Sequence, residues 1–271
     1  MKKVEKGNYA EVNGLNLYYE IHGTGEPLIL LHGGLGATEM FSDVLPGLAQ
    51  DRQVIAVDLQ AHGRTADIDR PLKHELLAED IAALAEQLEL EKVDVMGYSF
   101  GGGTALRTAI QYPRLVRKLV VVSFPHSRAS WYPEVLASME QLGPQAADAM
   151  KSSPMYELYA DIAPRPEDFP VLLGKMGELM RQDYDWSQEV AKLELPTLLV
   201  FADADSVSPG HAAEFYGLLG GGQKDAGWDG SSVPQARLAI LPGTTHYNVV
   251  DSPLLPRVVT EFLEAPAPKA A

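Results

Sequence analysis

The 271-residue sequence has no cysteine. Disulfide bonds, a thiol nucleophile and cysteine-ligated metal centres are therefore excluded. Positive charge is also scarce: 22 lysines and arginines stand against 37 aspartates and glutamates, a formal net charge of −15. Phosphate binding needs a basic face, so nucleic acid is not an expected partner. The acidic excess reads instead as a solubilising surface. No uninterrupted apolar run approaches the roughly 20 residues that span a bilayer. The basic start, Met1-Lys2-Lys3, is not followed by the apolar stretch of a signal peptide. A cytoplasmic protein with no membrane partner is expected. The stretch His32-Gly33-Gly34-Leu35-Gly36 lacks both the spacing of a dinucleotide-binding loop and the lysine of a P-loop, which argues against a phosphate cradle.

The chain is 46% hydrophobic, enough for one large α/β core carrying an insertion. Residues 9–12 and 15–21 alternate about Asn13-Gly14, the strongest short hairpin signal. The continuous apolar run at 27–31 reads as a central strand buried on both faces, and the mostly apolar runs at 54–57, 93–96, 118–122, 196–201 and 236–241 read as further strands of the sheet. Helical patterns at 38–50, 75–88, 104–112, 209–219 and 253–263 alternate with them, the signature of a mostly parallel sheet with helices on both faces. Between 124 and 193 the alternation stops. That segment holds helical stretches at 134–141, 145–150 and 171–182, broken by prolines and rich in aromatics and methionines. It reads as a helical cap over the strand ends. The core domain is then residues 1–123 and 194–264, with a disordered tail at 265–271.

One stretch carries a chemical signature. The strand at 93–96 runs into Gly97-Tyr98-Ser99-Phe100-Gly101 and then directly into a helix. A serine between two glycines on such a tight turn is held with its hydroxyl projecting from the fold, and the following helix aims free N–H groups at the same place. Two other strand ends carry Asp203 with Asp205, and His246. In parallel α/β sheets, functional groups collect at the carboxyl ends of strands. His32 is expected to fix its loop through backbone hydrogen bonds, and His62 with Arg64 to lie in an internally bonded loop.

The order Ser…Asp…His, with His32-Gly33-Gly34, Asp58…His62-Gly63-Arg64, Gly97-Tyr98-Ser99-Phe100-Gly101-Gly102, Asp203-Ala204-Asp205 and Pro242-Gly243…His246, resembles the α/β-hydrolase family over essentially the whole chain. The resemblance implies Ser99 as nucleophile, His246 as base and Asp205 as the acid that orients it. Asp205 also lies further past its strand, where it can turn to the histidine loop, whereas Asp203 is expected to bind loop N–H groups. The backbone N–H groups of Phe100 and Gly34 are the expected oxyanion hole, with Leu35 the less favoured second donor. Leu35, Trp131, Met155, Tyr159, Val207 and Tyr247 are expected to line the substrate pocket. The activity implied is hydrolysis of carboxylic esters or lactones of small-to-medium apolar acyl compounds, with a small-molecule ester as partner, no metal and no cofactor. Homodimerisation stays open. Two alternatives also stay open: a C–C bond hydrolase, favoured by a cationic side chain such as Arg128 or Arg181 near the serine, and a non-catalytic ligand receptor.

Overall fold

The computed structural model describes residues 7–266. Its frame is an eight-stranded sheet: β1 (Asn8–Val12), β2 (Leu15–His22), β3 (Glu26–Leu31), β4 (Arg52–Val57), β5 (Val93–Tyr98), β6 (Val116–Val122), β7 (Thr197–Ala204) and β8 (Ala236–Thr245). The strand order is β1-β2-β4-β3-β5-β6-β7-β8. The β1–β2 hairpin turns at Asn13 and Gly14, both at positive φ (48° and 83°), the backbone that matches strand twist. β2 pairs antiparallel with β4, and all later pairings are parallel. The carboxyl ends of β3 to β8 therefore lie along one edge.

Period-two alternation sends neighbouring residues of each strand to opposite faces. Ile29, Leu31, Ile55, Val95, Val121 and Leu199 share one core with α2 (His74–Gln87), α3 (Phe100–Gln111) and α9 (Pro209–Leu218). Leu28, Leu30, Val54, Met96, Val120 and Val200 share the other with the short α1 (Leu45–Leu48) and with α10 (Leu254–Glu264). Lys118 Nζ donates to the carbonyls of Phe262, Leu263 and Ala265, tying β6 to the end of α10.

Five helices occupy the connection between β6 and β7: α4 (Pro133–Gln141), α5 (Ala147–Met150), α6 (Pro154–Ile162), α7 (Phe169–Arg181) and α8 (Ser187–Val190). Sequence patterning does not anticipate α6 or α8. The helix expected over 38–50 is instead a 3₁₀ turn, Thr38–Phe41, and the single turn of α1. Of the tail expected at 265–271, residues 267–271 lie outside the described residues. Among the described residues no helix is long and apolar enough to cross a membrane.

Candidate active site

The turn after β5 is forced by its glycines. A Cβ on Gly97 would sit 2.0 Å from the Gly101 carbonyl oxygen, and one on Gly101 would sit 2.3 Å from that of Leu31. Strand and helix can approach that closely only without side chains there. Ser99 between them takes φ 50°, ψ −119°, a left-handed backbone that costs a non-glycine residue about 1–3 kcal/mol. Its N–H donates to the Val122 carbonyl (2.8 Å), which anchors the turn to β6.

Ser99 Oγ lies 3.0 Å from His246 Nε2, and His246 Nδ1 lies 2.8 Å from Asp205 Oδ1. Asp205 also accepts from the N–H of Ser206 at Oδ1 (2.7 Å) and from the N–H of Ala202 at Oδ2 (2.9 Å). The buried Ser123 hydroxyl, on a residue at φ 52°, donates to Oδ2 as well. Burial alone would push the Asp205 carboxyl up, but the bond and charge of His246, with Ser123 and Ala202, hold it below its ordinary value. An ionised Asp205 fixes the proton on Nδ1 and leaves the Nε2 lone pair for the serine. Tyr98 OH donates to the His246 carbonyl (2.5 Å), and the Trp131 ring meets the imidazole edge-on at 5.6 Å. Asp203 binds the N–H groups of Gly243 (2.9 Å) and Thr244 (3.1 Å) and so shapes the loop before the histidine.

Phe100 supplies the first N–H of α3. Gly34 sits in a turn closed from Gly36 N–H to the Gly33 carbonyl (3.2 Å), with Leu35 at φ 59°. A Cβ on Gly34 would lie 3.7 Å from Phe100 Cβ, so the two backbones are neighbours. Neither N–H has an acceptor among the described residues. His32 is fully buried, bonded through Nδ1 to the Gly33 carbonyl (2.8 Å), and its Nε2 accepts from Leu59 N–H (3.0 Å). Burial lowers its pKa to about 4, so it holds the loop as a neutral ring. Asp58 accepts from the N–H groups of Thr38 and Arg64 and links this loop to the one containing His62.

A cavity of about 260 Å³ opens at the serine. Ser99, Phe100 and His246 line it with Trp131 and Tyr247. The other four expected lining residues lie elsewhere. Leu35 packs partly buried against the core. Met155 is exposed on α6. The Tyr159 ring turns onto Phe169 (5.2 Å). Val207 is buried, pairing its backbone with Trp131. The wall comes instead from Val135, Met139, Met176, Leu179 and Met180 on α4 and α7, with Phe124 and Tyr184. His74 and Arg128 also face it. Arg128 Nε donates to the Met180 carbonyl (3.1 Å) and Nη2 to Glu140 (2.6 Å). Arg181 turns away to the Leu142 carbonyl. The helical stretch at 134–141 is legible in the sequence, but periodicity does not say which of its faces meets a cavity. Among the described residues no group of three or more His, Asp or Glu is placed to hold a metal ion.

Residues 26–149 match the family model described as the alpha/beta hydrolase fold. The 2-hydroxymuconate semialdehyde hydrolase of Pseudomonas sp. (strain CF600) is 38% identical over 112 residues, which is 38% of this chain and 40% of that protein. The alignment thus spans about two fifths of that curated relative. A thermophilic esterase from Thermogutta terrifontis superimposes with a TM-score of 0.73 at 21% identity, covering 96% of this chain and 98% of the other. The enol-lactonase from Burkholderia xenovorans LB400 does so with a TM-score of 0.72 at 20% identity, covering 95% and 100%. With a sequence match over β3 to β6 and a fold shared along nearly its whole length, the chain adopts the α/β-hydrolase fold.

Proposed function

We propose that the protein is a serine hydrolase of carboxylic esters or lactones with small-to-medium apolar acyl groups. The observation that carries this is the unbroken relay Ser99–His246–Asp205, at 3.0 and 2.8 Å, opening on an apolar cavity. His246 Nε2 takes the Ser99 proton as Oγ attacks the acyl carbonyl, and Asp205 steadies the imidazolium. The oxyanion is met by the N–H groups of Phe100 and Gly34, each contributing about 3–4 kcal/mol to lowering the barrier. Collapse expels the alkoxide, which recovers the proton from Nε2. Water then attacks the acyl-enzyme with His246 again as base, and the free acid leaves. The chemistry needs no cofactor. Helices α4 to α8 act as the cap, and Met139, Met176 and Met180 on α4 and α7 size the acyl pocket, since methionine adapts to irregular apolar shapes.

A second reading, C–C bond hydrolysis of a β-diketone or meta-cleavage-type compound, is favoured by Arg128, a cation on the wall of the serine cavity. The relay would serve there too, with the guanidinium pairing an acidic substrate. The test is turnover of p-nitrophenyl esters from acetate to dodecanoate, one lactone and one dienoate C–C substrate by wild type, Ser99→Ala and Arg128→Leu. Ester turnover peaking at short or medium chains and abolished in Ser99→Ala supports the first reading. Turnover of the dienoate alone, falling more than about tenfold in Arg128→Leu, supports the second. Activity surviving in Ser99→Ala refutes both.

A further inference from the structure

His74 takes no part in the proposed reaction, yet it lines the same cavity as Ser99 and His246. It opens α2, and its ring is set among Phe100, Phe124 and Trp186 at centroid distances of 5.6, 5.4 and 5.5 Å. Its Nδ1 lies 3.2 Å from Thr104 Oγ1. That hydroxyl donates its single hydrogen to the Phe100 carbonyl (3.2 Å), one turn back on α3. Nδ1 must then be the donor to Oγ1, and Nε2 carries the bare lone pair. Nε2 has no partner among the described residues, but it is not one of the sealed, unpaired atoms, which are Arg52 Nε, His62 Nε2 and His126 Nε2. The ring that carries it lines the cavity. Burial, helped by the charge of Arg107, lowers the ring's pKa to about 3, so the lone pair persists wherever a histidine base works. His32, by contrast, has both nitrogens engaged.

We propose that His74 Nε2 is a specificity element that accepts a hydrogen bond from a hydroxyl or N–H on the acyl group. The substrates are then acyl compounds carrying one such donor on an otherwise apolar frame. This rests on the hydrolase reading of the site and narrows it. A buried acceptor discriminates because an analogue without the donor leaves the lone pair desolvated and unpaired.

The test uses isosteric pairs of p-nitrophenyl esters, 3-hydroxybutanoate against 3-methylbutanoate and 6-hydroxyhexanoate against heptanoate. The hydroxyl-over-methyl ratio of kcat/KM should be at least about tenfold higher in wild type than in His74→Phe for one of the two pairs. Thr104→Val, which releases the Nδ1 proton but leaves the ring, should lower the same ratio severalfold and decides the matter if His74→Phe does not fold. Calorimetric binding of methyl 6-hydroxyhexanoate and methyl heptanoate to Ser99→Ala, with and without His74→Phe, reads the contact without turnover. A protein silent on every ester but still preferring the hydroxy compound through His74 would sink the ester reading and keep this one. Equal ratios with and without the His74 nitrogens, in turnover and in binding, would overturn it.

Discussion

Asparagine at position 205 keeps the shape of the aspartate and removes its charge. The carboxylate serves four donors, two at each oxygen: His246 Nδ1 and Ser206 N–H at Oδ1, Ala202 N–H and the Ser123 hydroxyl at Oδ2. An amide has one acceptor oxygen, so its NH₂ must face one of these pairs. Facing His246, it turns the imidazole to the tautomer with its proton on Nε2, and no base remains for Ser99. Facing Ala202, it keeps the tautomer but leaves the developing imidazolium without its counter-charge. At the observed 2.8 Å and an effective dielectric constant of about 20, that attraction is about 6 kcal/mol, or roughly 10⁴-fold in rate. Both orientations leave a buried backbone N–H unpaired, at about 1–3 kcal/mol of stability. We therefore expect Asp205→Asn to lose roughly 10⁴-fold in kcat on a p-nitrophenyl ester and to unfold at slightly lower urea concentration. A folded variant that keeps more than about one hundredth of wild-type kcat would refute the assignment of Asp205.

Three further outcomes are expected. Gly97→Ala drives a methyl against the Gly101 carbonyl at 2.0 Å, so it should cost about 3 kcal/mol or more and prevent the serine turn from forming; a thermal melt within a few degrees of wild type would contradict the steric account. His32, His62 and His74 are buried neutral, with pKa values lowered to about 4, 3 and 3, while burial raises Asp58 to about 6. Unfolding lets the histidines take up protons below about pH 6.5, so stability falls as pH drops from there towards 4; Asp58 acts in the opposite sense between about 6 and 4. Near pH 5 these four groups leave a net slope of about two protons, on the order of 3 kcal/mol per pH unit. His62→Phe should remove about one of them, and identical slopes in urea titrations between pH 7 and 5 would refute this. Lys118→Met strips three carbonyls at the end of α10 of their charged donor; a loss of about 2 kcal/mol, or roughly 4–8 °C in Tm, is expected, and an unchanged melt would show the clamp to be without effect.

The middle of the sheet is legible because β3 to β7 are buried on both faces and so read as short, mostly apolar runs. Ser99 and His246 stood out because each follows such a run, and Asp203 binds loop N–H groups, as its place at the strand end suggested. The insertion was less legible, for a specific reason. Proline reads as a break in a sequence, yet Pro154 occupies the first turn of α6, where its missing N–H costs nothing, and Ser153 caps the same end by accepting from Tyr156 N–H (3.3 Å). Pro133 and Pro209 start α4 and α9 in the same way. The pocket was the hardest part to read. Met155 and Met176 look alike in sequence, but one is exposed on α6 and the other is buried on α7 against the cavity. His74 gave only the signal of a histidine on the apolar stripe of Leu77 and Ile81, which describes a core residue equally well.

The spacing of the relay along the chain gives it a history. Ser99 and His246 are 147 residues apart, and the histidine follows β8, the last strand and one edge of the sheet. At about 5–20 residues per second, a ribosome takes roughly 7–30 s to pass from one to the other. Through that interval the growing polypeptide carries a nucleophile with no base beside it. Under the proposed mechanism, hydrolysis needs β8 docked on β7, so a growing chain that lacks β8 would be chemically quiet towards esters.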